Sequence, residues 1–387
     1  MWGKAALGRV SLAGVTGVLG IFLVLQGTAG AQESRIMVFD APGADTTAAD
    51  FNGTFPGSIN RAGVITGYYT DAAGTAHGFL RGPNGEYTGF DAPGADLKPG
   101  DYNGTVPDSI NDLGVVAGFY IDSNNFEHGF LRSPEGKFTA FEVPGASGYG
   151  TTPIAINPEG AVVGYYTDAT YAFHAFLRRP EGAFATWVGP GECTGNGSQG
   201  CYGSGATNIN AFGAVAGGYS DSSGNFVHRG FVRDVEGHLK TFDAPGAGAG
   251  TDQGTGCPGC AVGLSAFGAV AGNYIDANSV SHGYLRSPDG RFVRFDAPGA
   301  GTAAGQGTGC PSDCPTGLNE SGAVMGSYID ANYTLHGYFR APDGRIVTVD
   351  PAGTLYTWSS GMNDRGQITG YYLDGNYVYH GFVRVPD

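Results

Sequence analysis

Aspartate and histidine recur together along the chain at a spacing that suits acid–base or metal chemistry. The seven pairs are Asp71 with His77, Asp122 with His128, Asp168 with His174, Asp221 with His228, Asp276 with His282, Asp330 with His336 and Asp374 with His380. A carboxylate beside an imidazole is half of a catalytic dyad or half of a metal site. Repetition argues against both. An active site needs one asymmetric constellation, whereas equal copies bracketing equal turns describe a contact that fixes a hairpin wherever the fold repeats. The expectation is a structural role for all of the pairs. Arg81, Arg132, Arg178, Arg233, Arg286, Arg340 and Arg384 follow the histidines and are expected to pair with Asp40, Asp91, Glu142, Asp243 and Asp296. Exposed pairs of that type contribute only ~0–1 kcal/mol each.

Six cysteines form three close pairs in sequence, Cys193 with Cys201, Cys257 with Cys260 and Cys310 with Cys314, each placed in a connection between repeats. In an exported chain this even count argues for three local disulfides, each adding roughly 2–3 kcal/mol before strain. Zinc binding or thiol exchange is the rival, since Cys257 and Cys260 have C-x-x-C spacing. The βαβ context of a thioredoxin-like site is missing, so no metal is assigned.

Two near-twin segments carry the one hint of a ligand. Asp50, Phe51 and Asn52 are echoed by Asp101, Tyr102 and Asn103. An aromatic ring beside Asp and Asn can stack on a sugar and bond its hydroxyls, although the same residues are ordinary in turns. Asp50, Asp101 and Glu192 are the non-repeated acids that a propeller lyase or glycosidase would draw on. No Gly-x-Ser-x-Gly elbow, phosphate loop or His-Glu-x-x-His pair occurs in the sequence.

These residues are positioned by a repeat. The pattern Gly-x-Val/Ile-x-Gly-x-Tyr-x-Asp, then His and a strand ending in Arg, occurs seven times, with the tyrosine at 69, 120, 166, 219, 274, 328 and 372. In the second copy, Ser109 to Asn111, Val115 to Asp122, His128 to Arg132 and Lys137 to Glu142 read as strands a to d, punctuated by turn residues. A small sheet cannot bury both faces until neighbours stack on it, so four-stranded antiparallel units repeated seven times predict a seven-bladed β-propeller. Mid-strand glycines such as Gly67, Gly118 and Gly164 mark places where another group approaches closely. The d-strand signature Phe39 to Gly43 precedes any a, b or c strand, and the last repeat stops at Asp387 without one. The N-terminal segment Arg35 to Asp40 is therefore expected to complete the last blade and close the ring, a linear β-solenoid being the alternative.

At His174-Ala175-Phe176 and the His-Gly-Phe positions the chain resembles the bacterial extracellular HAF repeats, named for His-Ala-Phe. The resemblance extends over essentially all of residues 32–387 and implies an exported bacterial repeat protein, with no activity attached.

Composition agrees with this reading. With 70 Gly and 12% aromatic residues the chain is suited to short strands and tight turns. A net charge of −15 repels phosphate backbones and anionic lipid, so nucleic acid is not an expected partner. The acidic balance permits calcium without requiring it. Residues 1–31 read as a signal peptide, with Lys4 and Arg9 before an apolar run and Ala29-Gly30-Ala31 as the cleavage pattern; an uncleaved anchor is the alternative. The sequence thus predicts a secreted, periplasmic or cell-surface monomer, a non-catalytic scaffold binding an extracellular glycan or protein on the face of the d–a connections. The alternatives are a propeller lyase or glycosidase and a structural envelope or adhesion module.

Overall fold

A computed structural model describes residues 35–48, 52–98, 103–192, 203–222, 225–256, 262–310 and 315–386. Residues 1–31, where a signal peptide is expected, Asp50, Phe51, Asp101, Tyr102 and all cysteines but Cys310 lie outside the described residues. The described chain is all β, with no helix.

The repeat folds as four-stranded antiparallel sheets. In the second unit strand a is Gly104–Ile110, b is Val116–Ile121, c is Glu127–Arg132 and d is Phe138–Phe141. Strand a begins earlier than its β-branched content suggests, because Thr105 and Pro107 continue the ladder opposite Tyr120 and Gly118. The ladder slips by one residue between Pro107 and Ser109, and the same bulge recurs between Pro56 and Ser58 and between Pro153 and Ala155. The sheet made by Thr354–Met362, Ile368–Asp374 and Tyr379–Val385 takes its fourth strand from the other end of the chain: Arg35–Phe39 runs antiparallel to Tyr379–Val385, with Phe39 opposite Gly381.

The core lies between neighbouring sheets. Val64, Leu80 and Phe90 of the first unit pack against Ile110, Val116 and Phe130 of the second. Met37, Phe39 and Val383 pack in the same way against Ile59, Ile65 and Phe79. Mid-strand glycines allow the close approach inside each sheet: a methyl on Gly67 would collide with the Phe55 carbonyl oxygen, and one on Gly78 with the Phe90 ring.

Two devices tie unit to unit. The first is an asparagine after strand a. Asn60 Oδ1 accepts from Val64 N–H at 3.0 Å and caps its own turn, while Nδ2 donates to the Asn111 carbonyl at 3.2 Å. Asn111 donates likewise to Asn157, Asn157 to Asn210, Asn210 to Ser265, Asn319 to Asn363, and Asn363 to Asn60 at 2.9 Å. Ser265 is too short to continue the series, and there Ala266 N–H donates to Glu320 instead. The second device is a glycine at the start of strand a. Gly104, at φ +121°, pairs in parallel with Ala76 of the preceding unit, and Gly53 pairs with Tyr379.

The arginines do not pair with the acids that the sequence suggests. Each guanidinium lies over an aromatic ring: Arg81 over Phe39 at 4.5 Å, Arg132 over Phe90 at 4.7 Å and Arg233 over Trp187 at 4.8 Å. Histidines take the d-strand acids Asp40, Asp91, Glu142 and Asp296, and Arg229 takes Asp243. The cysteine segments also differ from expectation in two units. Residues 257–260 fall between Gly254–Thr255 and Gly263–Leu264, and 310–314 between Gly307–Thr308 and Gly317–Leu318, so both interrupt strand a rather than precede it.

Candidate functional site

The recurring Asp and His meet as hairpin fasteners. Asp122 Oδ1 accepts the N–H groups of Asn124 and Phe126 at 2.8 and 3.0 Å, capping the b–c turn, and Oδ2 lies 3.3 Å from His128 Nε2. Burial works against this carboxylate, but the donated hydrogen bonds prevail and hold it down to about 2. The other ring nitrogen faces the d-strand acid Glu142 at 2.5 Å, and the Tyr120 ring stacks on the imidazole at 4.8 Å. Asp71–His77–Asp91, Asp276–His282–Asp296, Asp330–His336–Asp350 and Asp374–His380–Asp40 repeat this arrangement, with His–Asp distances of 2.6–3.6 Å. His174 meets Asp168 at 3.0 Å and has Val188 at the position of the second acid.

Asp221 and His228 are the exception and correct the expected pairing. The turn of this unit is two residues longer, which places Arg229, not His228, opposite Tyr219 in the ladder. Arg229 bonds Asp221 at 2.7 Å and Asp243 at 2.5 Å, while His228 turns to the other face and is buried against Ser220 at 3.1 Å.

Asn52 and Asn103 sit at junctions between units, where their carbonyls accept the N–H groups of Tyr379 and Ala76 at 3.0 and 2.8 Å. The Asn52 side chain bonds Asp45 at 3.1 Å. Both serve the framework. Glu192 is likewise turned inward, bonding Ser204 Oγ and the Gly189 N–H. Cys310 is buried and disulfide-bonded, and it packs with Leu335, Ile329 and Trp358.

What breaks the repeat is a cavity and the aromatic cluster at its wall. Strands a line a cavity of about 400 Å³, within the roughly 300–1,000 Å³ typical of ligand sites. The residues skipped at five of the strand a bulges line it, Gly57, Asp108, Ile154, Thr207 and Ser360, together with Thr316 just before Gly317–Leu318. Among the described lining residues Asp108 is the one ionisable group apart from the tyrosines. The residue as a whole is half-buried, yet its Oδ2 is shut off from solvent without a hydrogen-bond partner. Burial first, and the neighbouring charge of Glu127 second, push this carboxyl well above the usual range.

Phe55, Tyr68 and Tyr371 form another part of the wall. Phe55 stacks on Tyr68 at 4.8 Å and approaches Tyr371 and Tyr379 at 5.4 and 4.9 Å, and Trp358 stacks on Tyr371 at 5.2 Å. The ladders set Thr54 opposite Tyr69, and Tyr69 opposite His77. The cluster therefore stands at the end of the sheets from which the d–a connections and b–c turns emerge. Strand b carries Tyr68, Phe119, Tyr165 and Tyr371 at this position but Gly218, Asn273 and Ser327 in the remaining units. At two of these positions the described residues beside a cysteine bond strand b: Asn273 Nδ2 donates to the Cys310 carbonyl at 3.3 Å, and Gly309 N–H donates to the Ser327 carbonyl at 2.8 Å. Sequence reasoning passed over Asp108 and the aromatic cluster. Both were signalled as departures from the repeat, an acid where sister strands carry Gly, Ile, Thr or Ser, and rings on only some of the b strands.

No family model matches the sequence, and no curated protein sequence matches it. Solved structures do. The BP39L lectin from Burkholderia pseudomallei is 10% identical over 92% of this chain and 99% of its own, with a TM-score of 0.51. A puromycin hydrolase S511A mutant is 11% identical over 83% of this chain and half of its own length, also at 0.51. At this identity the likeness shows the fold alone, propeller-like and all β.

Proposed function

We propose that the chain is an exported, non-catalytic glycan-binding protein built as a seven-bladed propeller, its ring closed by the strand Arg35–Phe39. The observation that carries the binding reading is the asymmetric aromatic cluster around Phe55, Trp358 and Tyr371 beside a cavity of mixed polar and apolar lining, at the end of the sheets with the variable connections. Aromatic faces stack on the apolar face of a sugar ring while hydroxyl and amide groups take its hydroxyls. Ring closure is supported by the pairing of Phe39 with Gly381 and by the Asn363 to Asn60 hydrogen bond. The lectin likeness agrees with a binding role. A glycosidase needs two carboxylates flanking one bond, and the described lining supplies Asp108 alone. The HAF-type repeat pattern, the predicted leader and the cysteine pairs support export, a bacterial source and local disulfides, with a protein ligand as the second reading of the same face.

A glycan array read together with intrinsic fluorescence tests this. Hits are expected to quench emission from Trp358, and Phe55→Ala is expected to weaken them at least tenfold while leaving the melting temperature within a few degrees. An array without hits, or hits indifferent to Phe55→Ala, would refute the assignment of the site.

A further inference from the structure

Asp108 distinguishes this cavity from a neutral sugar site. The other bulged residues lining the cavity are Gly57, Ile154, Thr207 and Ser360, so the carboxylate is not required by the strand a geometry. Neighbouring polar groups are already engaged by the framework. Ser109 Oγ accepts the Ile156 N–H at 3.3 Å, Thr207 Oγ1 accepts the Val262 N–H at 3.3 Å, Asn208 donates to the Val262 carbonyl at 2.9 Å, and Ser360 donates to the Pro56 carbonyl at 2.6 Å. Asp108 Oδ2 has no such partner. Burial of an unmatched carboxyl disfavours its charge unless a cationic partner arrives to hold it, and no Lys, Arg or His stands among the described lining residues.

The same cavity presents the rings of Phe55, Tyr68 and Tyr371. Aromatic faces attract a cation, and the attraction grows where water is excluded. A carboxylate and several π faces on one cavity form a site for an ammonium group rather than for an anion or a hydroxyl alone. Resting on the glycan reading above, we infer that the cavity takes an amine-bearing sugar, a hexosamine with a free amino group, with Asp108 as its counter-ion and the aromatic wall as its stacking surface. Acetylation of the amine would remove the positive charge and add bulk at the carboxylate. Glycans carrying carboxylate, sulfate or phosphate at that position meet no cationic partner among the described lining residues.

Calorimetric titration with a trimer of β-1,4-linked glucosamine and with its fully N-acetylated counterpart tests this on the full mature chain. The free-amine trimer is expected to bind at least tenfold more tightly. Asp108→Asn should abolish that preference, while Glu236→Gln, which removes one negative charge from an exposed turn, should retain it and so exclude a general effect of the acidic chain. The wild-type comparison stands even if the Asp108→Asn protein folds poorly. Equal or tighter binding of the acetylated trimer, or a preference that survives Asp108→Asn, overturns the amine assignment and leaves glycan binding in place. Binding of neither trimer also overturns it, and the array then judges the glycan reading by itself.

Discussion

At the residue scale, His380 couples the two ends of the chain. Its Nδ1 lies 2.8 Å from Asp40 and its Nε2 3.6 Å from Asp374. The hydrogen bond to Asp40 and the two negative charges outweigh burial and hold the imidazole above its ordinary range. A histidine raised on folding stabilises the folded state fully below its unfolded value near ~6.5, and that contribution fades as pH rises through the raised value. Asp374 sits below its ordinary range: burial works against it, but the N–H groups of Val378 and Asn376 and the charge of His380 prevail, so its own contribution is lost only in acid. Melting curves of wild type and His380→Gln should therefore differ most below pH ~6.5 and draw together as pH rises above that value. A difference that stays constant across that range would show that His380 stabilises by packing alone. The contact within six of the Asp–His pairs was legible from their equal spacing around each b–c turn. The failure at Asp221 was not, because only the ladder register shows that a turn longer by two residues hands the position to Arg229.

At the scale of elements, the junctions between units rest on backbone contact that no side chain tolerates. A methyl on Gly104 would collide with the Ala76 carbonyl oxygen, and its φ of +121° is itself unfavourable for any other residue. Gly104→Ala should cost at least ~2 kcal/mol, from strain together with a broken junction. Gly89, on an exposed d strand, has open space for 4 Å around the point where a methyl would stand, and Gly89→Ala should stay within about 0.5 kcal/mol of wild type. Chemical denaturation of the two variants measures this, and equal midpoints would sink the junction argument. The order of strands a to d was readable from turn residues and alternation. The interruption of strand a around residues 257–260 and 310–314 was not, since a two-residue ladder segment such as Gly254–Thr255 carries no periodicity to detect. The same limit hid the asparagine series. Asn60, Asn111 and Asn157 read locally as turn residues, which they are, and their second hydrogen bond to the next unit leaves no trace in spacing.

At the scale of the molecule, the question is whether the sheets form a ring or an open stack, and the two differ in how the chain melts. In an open array each unit contacts only its neighbours, end units fray, and losing a terminal strand removes a local contribution. In a ring the strand Arg35–Phe39 is a keystone: it covers the edge of Tyr379–Val385, places the Phe39 ring beneath Arg81 at 4.5 Å and against Gly381, and delivers Asp40 to His380. Starting the chain at Ala41 would expose that edge and uncouple the last unit from the first. Because the lost contacts span an apolar layer, an aromatic–arginine pair and a buried edge, the expected cost exceeds ~3 kcal/mol and the single unfolding transition should broaden or split. A synthetic peptide of residues 35–40 supplied in excess should restore part of the stability by adding the missing strand, as strand addition does at any open sheet edge. Calorimetric scans with and without the peptide decide the matter. An unchanged transition in the shortened chain would mean that the first strand is a passenger and that the units stand without closure.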